Sequence, residues 1–394
     1  MSQRLSIAIA GGGRGRGQIW PATVSKLSDL YDFRAMIEPV PERAEENRQR
    51  WGVAVYPDVK ALLDNEKIDV LLVAVPPDAY HPIVCTAAEY GVHAITEIPF
   101  GPTGPIARMM AEAAAKNGVK LGVAENVYRW ATERLKQKIL SSGIIGRPKH
   151  ARLWYTCGCY HGFNAIRMLL GSEPTRVMGY AGTIPVPWYV DYLAETVPEE
   201  AWEVALIEFS NGCVCLYEMP PPGFRGNHWE VECEGGALDG NELVVREGRS
   251  LQRYSFQWEY EMAEGEKVLD HVRVNTDPPI VWENPFKRWL VADNDEVARV
   301  DILVDFHRAV SQNATPDYPP EKAWPDQEIW IALRESALHG SQWVELPLRG
   351  LTEFEKMMHE EYARLYGRRW DDIEGLRSVA FPRGGVRWTV GRQL

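Results

Sequence analysis

The feature that most constrains the fold is a regular alternation of strand and helix patterns over the first 124 residues. Short apolar runs, such as "LSIAIA" at 5–10 and "IDVLLVAV" at 68–75, have the length of buried strands. Helix-length segments separate them, and one of these, "IARMMAEAAAKNG" at 106–118, is predicted to be a helix that ends at Gly118. Strands and helices in this order predict a doubly wound parallel sheet.

The chain has 394 residues, which is long for a single hydrophobic core and predicts two domains. After residue 150 the pattern changes to strand-like runs joined by tight turns. The Asn-Gly pair at 211–212 predicts a hairpin between "WEVALIEFS" and "CVCLYEM". We therefore predict a Rossmann domain over 1–124 and an α+β domain over 125–394.

Charge and composition exclude several kinds of partner. The net charge of −12 disfavours nucleic acid and anionic membranes, and we expect neither as a partner. No apolar run approaches the roughly 18 residues that a membrane span requires. The N-terminus runs directly into a strand pattern, so we expect no signal peptide. The six cysteines lack the spacing of secreted domains, and we expect a cytoplasmic location.

Glycines follow the first predicted strand, where a close backbone approach to a pyrophosphate is required. The predicted cofactor loop consists of Gly11, Gly12, Gly13, Arg14 and Gly15. Gly11 and Gly13 fit the first two positions of G-x-G-x-x-G, but Arg16 occupies the third. Shifted by one residue, Ala10, Gly12 and Gly15 fit less well. The alternative is a glycine turn that binds nothing.

Glu38 ends the second predicted strand, 27 residues after Gly11. An acid at this place accepts hydrogen bonds from the adenosine ribose of a dinucleotide. It would repel a 2′-phosphate, and Pro39 supplies no positive charge to hold one. The sequence therefore favours NAD over NADP.

Longer segments resemble the Gfo/Idh/MocA oxidoreductases, such as glucose–fructose oxidoreductase and inositol dehydrogenase. The resemblance covers nearly all of 4–348. It rests on "AMIEPVPERAEE" at 35–46, "IDVLLVAVPPDAYHPIVCTAAEYGVHAITEIP" at 68–99, "SSGIIGRPKHARL" at 141–153, "HGFNAIRMLLG" at 161–171 and the closing "ESALHGSQWVELPL" at 335–348.

The resemblance implies a Rossmann domain followed by a domain with a large, open, mostly antiparallel sheet. In the family the substrate lies between the two domains, and the sheet commonly mediates oligomerisation. We therefore expect a homo-oligomer, a dimer or tetramer. The resemblance also adds Pro76, His81 and Glu97 to the cofactor site. For His81 the alternative is a histidine that only makes a local hydrogen bond.

The triplet Glu97-Ile98-Pro99 departs from the family's Glu-Lys-Pro. In the family the Glu helps to position the nicotinamide, and the Lys exchanges a proton with the substrate oxygen. Ile98 can neither donate nor accept a proton, and a positioned acid or base contributes about 10²–10⁴-fold in rate.

The family's His-x-x-Asp becomes His161-x-x-Asn164, with both residues on one helical face. Because Asn164 carries no charge to stabilise an imidazolium, we expect His161 to act as a neutral base. Tyr160 precedes His161, and its phenol is a further candidate, although packing is the favoured explanation for it. His161, Asn164 and Tyr160 are the predicted catalytic residues.

Ile98 leaves three interpretations open. Hydride transfer persists, with the proton moved by His161, Tyr160 or another group; NAD is bound but the redox step is very slow or repurposed; or the site is dead and the fold serves binding or assembly. A variant of the second uses transient oxidation to drive an elimination or a glycosidic cleavage. We favour the first interpretation, an NAD-dependent oxidoreductase that acts on a sugar, polyol or sugar derivative.

Two further features stay open at this stage. Cys157, Cys159 and His161 alternate in "CGCYH", a zinc-like ligand set if the segment is a strand, but no fourth ligand is evident and we predict no metal. Residues 250–295 suit a substrate-side insertion or an oligomer arm. The amphipathic helix and basic tail over 350–394 either pack on a neighbouring subunit or fray.

Overall fold

The computed structural model describes residues 4–13, 15–156, 159–190, 196–219, 226–381 and 385–386, which fold into two compact units. The first unit contains the described residues up to Glu125, then Ala298–Trp324 and the segment that begins at Glu355. The second contains Asn126–Val297 and Pro325–Phe354. The units are therefore not the two consecutive ranges, 1–124 and 125–394, that the sequence predicts.

Long-range contacts explain the return of the chain to the first unit. The hydroxyl of Tyr31 donates to the carbonyl oxygen of Leu303 over 2.8 Å. The amide of Val123 donates to the carbonyl oxygen of Tyr318 over 3.0 Å. The sequence of an amphipathic helix indicates that its apolar face is buried, but it does not indicate which sheet that face covers.

The first unit is built on a parallel six-stranded sheet, which confirms the predicted Rossmann fold. The strand order is β3-β2-β1-β4-β5-β6, so the chain reverses direction across the sheet between β1 and β4. The strands are β1 (Leu5–Ala10), β2 (Tyr31–Ile37), β3 (Ala54–Tyr56), β4 (Val70–Val73), β5 (His93–Thr96) and β6 (Leu121–Val123).

Five helices connect these strands, and local sequence signals set their ends. Pro41 begins the second helix, where its fixed φ suits the first turn. Gly52, in the left-handed conformation with φ 67°, ends that helix. The helices are α1 (Arg16–Lys26), α2 (Pro41–Trp51), α3 (Val59–Asn65), α4 (Tyr80–Glu89) and α5 (Gly104–Lys116).

The second unit contains a nine-stranded sheet in the order β14-β13-β12-β11-β7-β10-β9-β8-β18. Every neighbouring pair is antiparallel except β7 and β10, which confirms the predicted large, mostly antiparallel sheet. Its strands are β7 (Pro148–Trp154), β8 (Pro174–Val190), β9 (Thr196–Phe209), β10 (Val214–Glu218), β11 (His228–Cys233), β12 (Gly236–Asp239), β13 (Glu242–Glu247), β14 (Ser250–Ser255) and β18 (Val344–Glu345).

The Asn-Gly prediction is confirmed, because β9 and β10 pair as a hairpin with Val214 opposite Glu208. Residues 250–295 contribute β14 and a separate three-stranded antiparallel sheet, β15 (Gln257–Ala263), β16 (Glu266–Val274) and β17 (Ile280–Glu283). The ammonium group of Lys138 donates to the carbonyl oxygen of Val281 over 2.8 Å, so this sheet is tied to a helix of its own unit.

The remaining helices follow the first unit's sheet in the chain, and most of the third of them, from Ala298 on, returns to the first unit. They are α6 (Ala131–Ser142), α7 (Cys159–Leu170), α8 (Asn294–Ser311), α9 (Pro320–Leu338), α10 (Glu353–Tyr366) and α11 (Ile373–Leu376). A Cβ on Gly179 would lie 2.5 Å from the carbonyl oxygen of Leu333, so α9 lies directly on β8. Among the described residues, no helix is both long and apolar enough to cross a membrane.

Residues 355–381, here called the C-terminal segment, pack on the first unit of their own chain. The amide of Gly104, at the start of α5, donates to Glu355 Oε1 over 2.7 Å. The hydroxyl of Tyr362 donates to the carbonyl oxygen of Asp78 over 3.1 Å. Met358 and Tyr362 of α10, the helix that the sequence left unassigned, are buried. Of the basic tail, residues 382–384 and 387–394 lie outside the described residues.

Candidate cofactor and active site

The glycine loop after β1 is confined by its neighbours on one side. A Cβ on Gly11 would lie 2.2 Å from the carbonyl oxygen of Ala74, and Gly11 adopts φ 109°. A Cβ on Gly12 would lie 2.4 Å from Asn47 Nδ2 and 3.1 Å from Glu38 Cβ. Glycine is therefore required at both positions, and the loop lies directly beside Glu38.

The other side of the loop is open. Among the described residues, and apart from the glycine and its chain neighbours, no heavy atom lies within 4 Å of a Cβ built on Gly13 or on Gly15. Helix α1 begins at Arg16, and its N-cap residue, Gly15, has no side chain to cap it. The N–H groups at a helix N-terminus and the helix dipole favour an anion at this place. The loop thus fits a pyrophosphate, and Arg14 lies outside the described residues.

The third glycine of the motif is Gly17, which the sequence reasoning missed. A Cβ on Gly17 would lie 2.5 Å from the carbonyl oxygen of Gly11, so α1 packs directly on the loop here. Close helix packing is the task of the third glycine in a dinucleotide fingerprint. The spacing is thus G-x-G-x-x-x-G over 11–17, one residue longer than the pattern that placed Arg16 in this role.

Two amides that the sequence analysis did not identify hold the loop in place. The carbonyl oxygen of Gly12 accepts hydrogen bonds from Gln18 Nε2 and from Asn47 Nδ2, each over 2.9 Å. Gln18 Nε2 also donates to Asn47 Oδ1 over 2.8 Å. Since Asn47 lies on α2, these bonds fix the loop relative to the residues that follow Glu38.

Glu38 follows β2 directly and is 3% exposed. Its Oε1 accepts hydrogen bonds from the amide of Val40 and from Arg43 Nη2, both over 2.9 Å. In the described part of the chain both bonds go to Oε1, so Oε2 remains able to accept from ribose hydroxyls. The geometry suits the role that the sequence assigned to Glu38.

Glu97 follows β5 and is also buried, at 7% exposed. Trp20 Nε1 donates to Glu97 Oε1 over 2.7 Å, and Arg16 Nε lies 3.3 Å from the same oxygen. Ile98 is half-buried next to it, so the neighbouring cation comes from α1 rather than from residue 98. Nothing in the triplet alone indicates either partner, because Trp20 and Glu97 are 77 residues apart.

Pro76 and His81 follow β4. Pro76 accepts a hydrogen bond at its carbonyl oxygen from the amide of Ala79 over 2.9 Å and opens a short 3₁₀ turn at 77–79. His81 lies in the first turn of α4, fully buried, and its Nε2 donates to the carbonyl oxygen of Trp370 over 2.8 Å. Burial lowers the pKa of His81 to about 4. His81 therefore holds the C-terminal segment, and its contact with a cofactor stays a prediction.

In the second unit, His161 and Tyr160 lie half-buried in the first turn of α7. The imidazole of His161 stacks on Tyr155 with ring centroids 6.1 Å apart. The ring centroids of His161 and Tyr160 are 5.1 Å apart. Tyr155 stacks in turn on Trp229 at 6.2 Å. The aromatic surroundings orient the imidazole and shield one of its faces.

Asn164 is fully buried one turn beyond His161. Its Nδ2 donates to Asp326 Oδ2 over 3.0 Å, and Arg167 Nε donates to Asp326 Oδ1 over 2.8 Å. A carboxylate is thus present beside position 164, but it comes from α9 and is paired with an arginine. The sequence did not reveal this partner, which is 162 residues away.

Two clusters have the composition of metal ligands without having been predicted. His228, Glu230 and Asp239 form one cluster; Asp270, His271 and Glu283 form the other. Cations of the protein already pair with both: Arg152 Nη1 lies 3.1 Å from Glu230, and Lys287 contacts Asp270. Cys159 and His161 lie on a helix rather than on the strand that the zinc alternative requires. Cys157 lies outside the described residues.

Comparison with known proteins shows what residues 5–125 are similar to. Residues 5–125 match the model of the Gfo/Idh/MocA family, an oxidoreductase family with an NAD-binding Rossmann fold. An inositol 2-dehydrogenase from Streptomyces avermitilis is 29% identical over 45% of this chain and 56% of its own length. A levoglucosan dehydrogenase from Pseudarthrobacter phenanthrenivorans is 29% identical over 37% of this chain and 39% of its own length.

The alignments thus span between about a third and just over half of these relatives. The solved structure of a levoglucosan dehydrogenase in complex with NADH and levoglucosan superimposes with a TM-score of 0.65. It is 19% identical and covers 88% of this chain and 100% of its own, which shows a shared fold across both units. Residues 5–125 are thus similar to the NAD-binding Rossmann fold of the Gfo/Idh/MocA oxidoreductases.

Proposed function

We propose that the chain is an NAD-dependent oxidoreductase that acts on a sugar, polyol or sugar derivative. The observation that carries the proposal is the open glycine loop beside Glu38, whose second carboxylate oxygen is available to a ribose. The printed names of the relatives, inositol 2-dehydrogenase and levoglucosan dehydrogenase, support a polyhydroxylated substrate.

Calorimetric titration of the cofactor-stripped protein with NAD⁺, NADH and their 2′-phosphorylated forms tests the cofactor. Micromolar binding of the unphosphorylated pair alone is the expected result, because the Glu38 carboxylate would repel a 2′-phosphate. Glu38→Gln keeps the size of the side chain but removes its charge. It should therefore reduce the difference in affinity between NAD and its 2′-phosphorylated form. Equal binding of both forms by the wild type would contradict the role of Glu38.

We assign the steps of the reaction to residues of this chain as follows. The glycine loop, Glu38 and Glu97 would hold NAD, which would supply the hydride acceptor. His161 would accept the proton of the substrate hydroxyl as the carbon that bears this hydroxyl loses a hydride to that acceptor, so that an alcohol becomes a carbonyl compound. Ile98 takes no part in proton transfer, since an alkyl side chain has no exchangeable proton.

A pH–rate profile distinguishes His161 from other proton acceptors. His161→Gln keeps a hydrogen-bonding side chain without a titrating group, and should lower kcat by about 10²–10⁴-fold with little change in NAD affinity. Tyr160→Phe is the matched control and should retain most activity. Ile98→Lys should bring no gain if the site is adapted to a non-titrating residue here. A large gain would show that the missing lysine limits the enzyme.

Two other functions rest on the same departure at Ile98. A protein that binds NAD or a sugar without turnover would show cofactor affinity but no cofactor reduction across a panel of polyols. An enzyme that uses transient oxidation for elimination or glycosidic cleavage would convert its substrate without net change in NADH. Product analysis together with NADH absorbance therefore separates the three functions.

We also propose that the open face of the large sheet contacts a second copy of the chain. Met178, Leu206 and Leu216 form one row across β8, β9 and β10, and Leu216 is 44% exposed. An apolar row of this kind on an open sheet is typical of an interface, and a second copy presents the same row to it. Light scattering should show dissociation of the oligomer for Leu216→Lys. The control is Leu251→Lys, which should not dissociate it, because Leu251 lies on edge strand β14 and is 53% exposed.

The cytoplasm is the proposed location. Cys85, Cys213, Cys215 and Cys233 form no disulfide within the described residues. Cysteines outside disulfides suit a reducing compartment. Fractionation of the native host, with detection by antibody, tests this assignment.

A further inference from the structure

The buried carboxylate of Glu97 has a charged partner that comes from another part of the first unit. Arg16 Nε lies 3.3 Å from Glu97 Oε1, which also accepts from Trp20 Nε1 over 2.7 Å. The amide of Ile98 contacts the second oxygen over 3.3 Å. Glu97 is thus held by the first two turns of α1, the helix that begins at the glycine loop.

Topology places this ion pair at one end of the proposed cofactor site. In a doubly wound sheet a dinucleotide lies across the carboxyl ends of the strands, with its pyrophosphate at the N-terminus of α1. Glu38, after β2, marks the adenosine half on one side of that point. Glu97, after β5, lies on the opposite side, where the nicotinamide half extends. This assignment rests on the proposed function.

Charge is the property that distinguishes the two redox forms at this end. The oxidised nicotinamide ring carries a positive charge and the reduced ring is neutral. A lone carboxylate here would favour the oxidised form, and an adjacent guanidinium offsets that preference. Ile98 contributes no charge, so the local balance depends on Glu97 and Arg16.

We propose that Arg16 is a positioning residue that sets the relative affinity of the site for oxidised and reduced NAD by neutralising Glu97. Arginine suits this task because it keeps its positive charge and does not act as an acid or base near neutral pH. The charge beside the nicotinamide and the proton transfer to the substrate are thereby separated, with Arg16 serving the first and His161 the second. Trp20 holds the Glu97 carboxylate in place on the same helix.

The test is the ratio of two dissociation constants, which needs no substrate. Arg16→Gln should raise the ratio Kd(NADH)/Kd(NAD⁺) roughly tenfold, the order of effect expected of one unit charge in a partly screened site. That change equals about 30 mV toward a more reducing two-electron potential of the bound cofactor. Arg16→Lys retains the charge and should leave the ratio near that of the wild type.

Two further variants make the measurement specific. Arg43→Gln removes the equivalent cation beside Glu38, so it should change both affinities in parallel and leave the ratio within about twofold. Ile98→Lys adds a cation next to Glu97 and should move the ratio in the opposite direction. Circular dichroism and thermal unfolding verify that each variant is folded.

The outcomes separate the inference from the proposed function. If Arg16→Gln binds both forms and the ratio is unchanged, the inference is overturned and the proposed function stands. If Arg43→Gln shifts the ratio as much as Arg16→Gln does, the effect is a general one of net charge and the inference is also overturned. If the wild type binds neither form, both proposals fail.

Discussion

A buried imidazole predicts that docking of the C-terminal segment depends on pH. His81 is fully buried, and burial lowers its pKa from 6.5 to about 4. When the segment undocks, the side chain meets water and the pKa returns to about 6.5. Between pH 6.5 and 4 the undocked state binds more protons, so docking is complete above pH 6.5 and is lost as the pH falls toward 4. The loss is about 2 kcal/mol between pH 7 and pH 5.

Hydrogen exchange of the amides in α10 measures this free energy directly. After correction for the intrinsic exchange rates, the protection factors of these amides should decrease as the pH is lowered. Between pH 7 and pH 5, His81 should contribute a decrease of about thirtyfold. His81→Gln places an amide donor toward the carbonyl oxygen of Trp370 but does not titrate. The wild type should therefore lose about thirtyfold more protection than this variant.

Two other histidines, His150 and His359, serve as the control and as a second source of pH dependence. His150→Gln, on β7 of the second unit, removes a partly exposed imidazole and should behave as the wild type does. His359, which contacts Thr103 Oγ1 over 2.8 Å, also has its pKa lowered to about 4 by burial, and it accounts for any decline that remains. An unchanged decline in His81→Gln would show that His81 does not control docking.

The remaining predictions concern buried polar contacts and close packing. Lys136 and Glu133 form an almost fully buried ion pair at 2.6 Å, so Lys136→Met should lower the unfolding free energy in urea by about 3–5 kcal/mol, and adding Glu133→Leu should restore most of it. Gly17→Ala inserts a Cβ 2.5 Å from a loop carbonyl oxygen and should weaken NAD binding in calorimetry by at least roughly tenfold while the fold persists. Asn164→Asp places a second carboxylate beside Asp326 and should lower Tm. Adding Asp326→Asn to this variant should restore Tm, because a single negative charge then remains beside Arg167.

Local patterns were sufficient for much of the first unit. Apolar runs of strand length, helix patterns between them and glycines after β1 follow from the chemistry of neighbouring residues. Those features predicted the parallel sheet, the cofactor loop and the position of Glu38. The Asn-Gly turn predicted the β9–β10 hairpin for the same reason, since two adjacent residues select the turn.

Only the tertiary structure decided which side chains meet. Trp20 and Glu97 are 77 residues apart, Asn164 and Asp326 are 162 apart, and His81 and Trp370 are 289 apart. Hydrophobic periodicity indicates that a face is buried but not which element buries it. Neither the contact between Arg16 and Glu97 nor the docking of the C-terminal segment could therefore be predicted. The sequence by itself determined the parallel sheet of the first unit and the position of the glycine loop that we propose as the phosphate site. The charge around the predicted nicotinamide end depended on contacts that form only when distant strands and helices pack together.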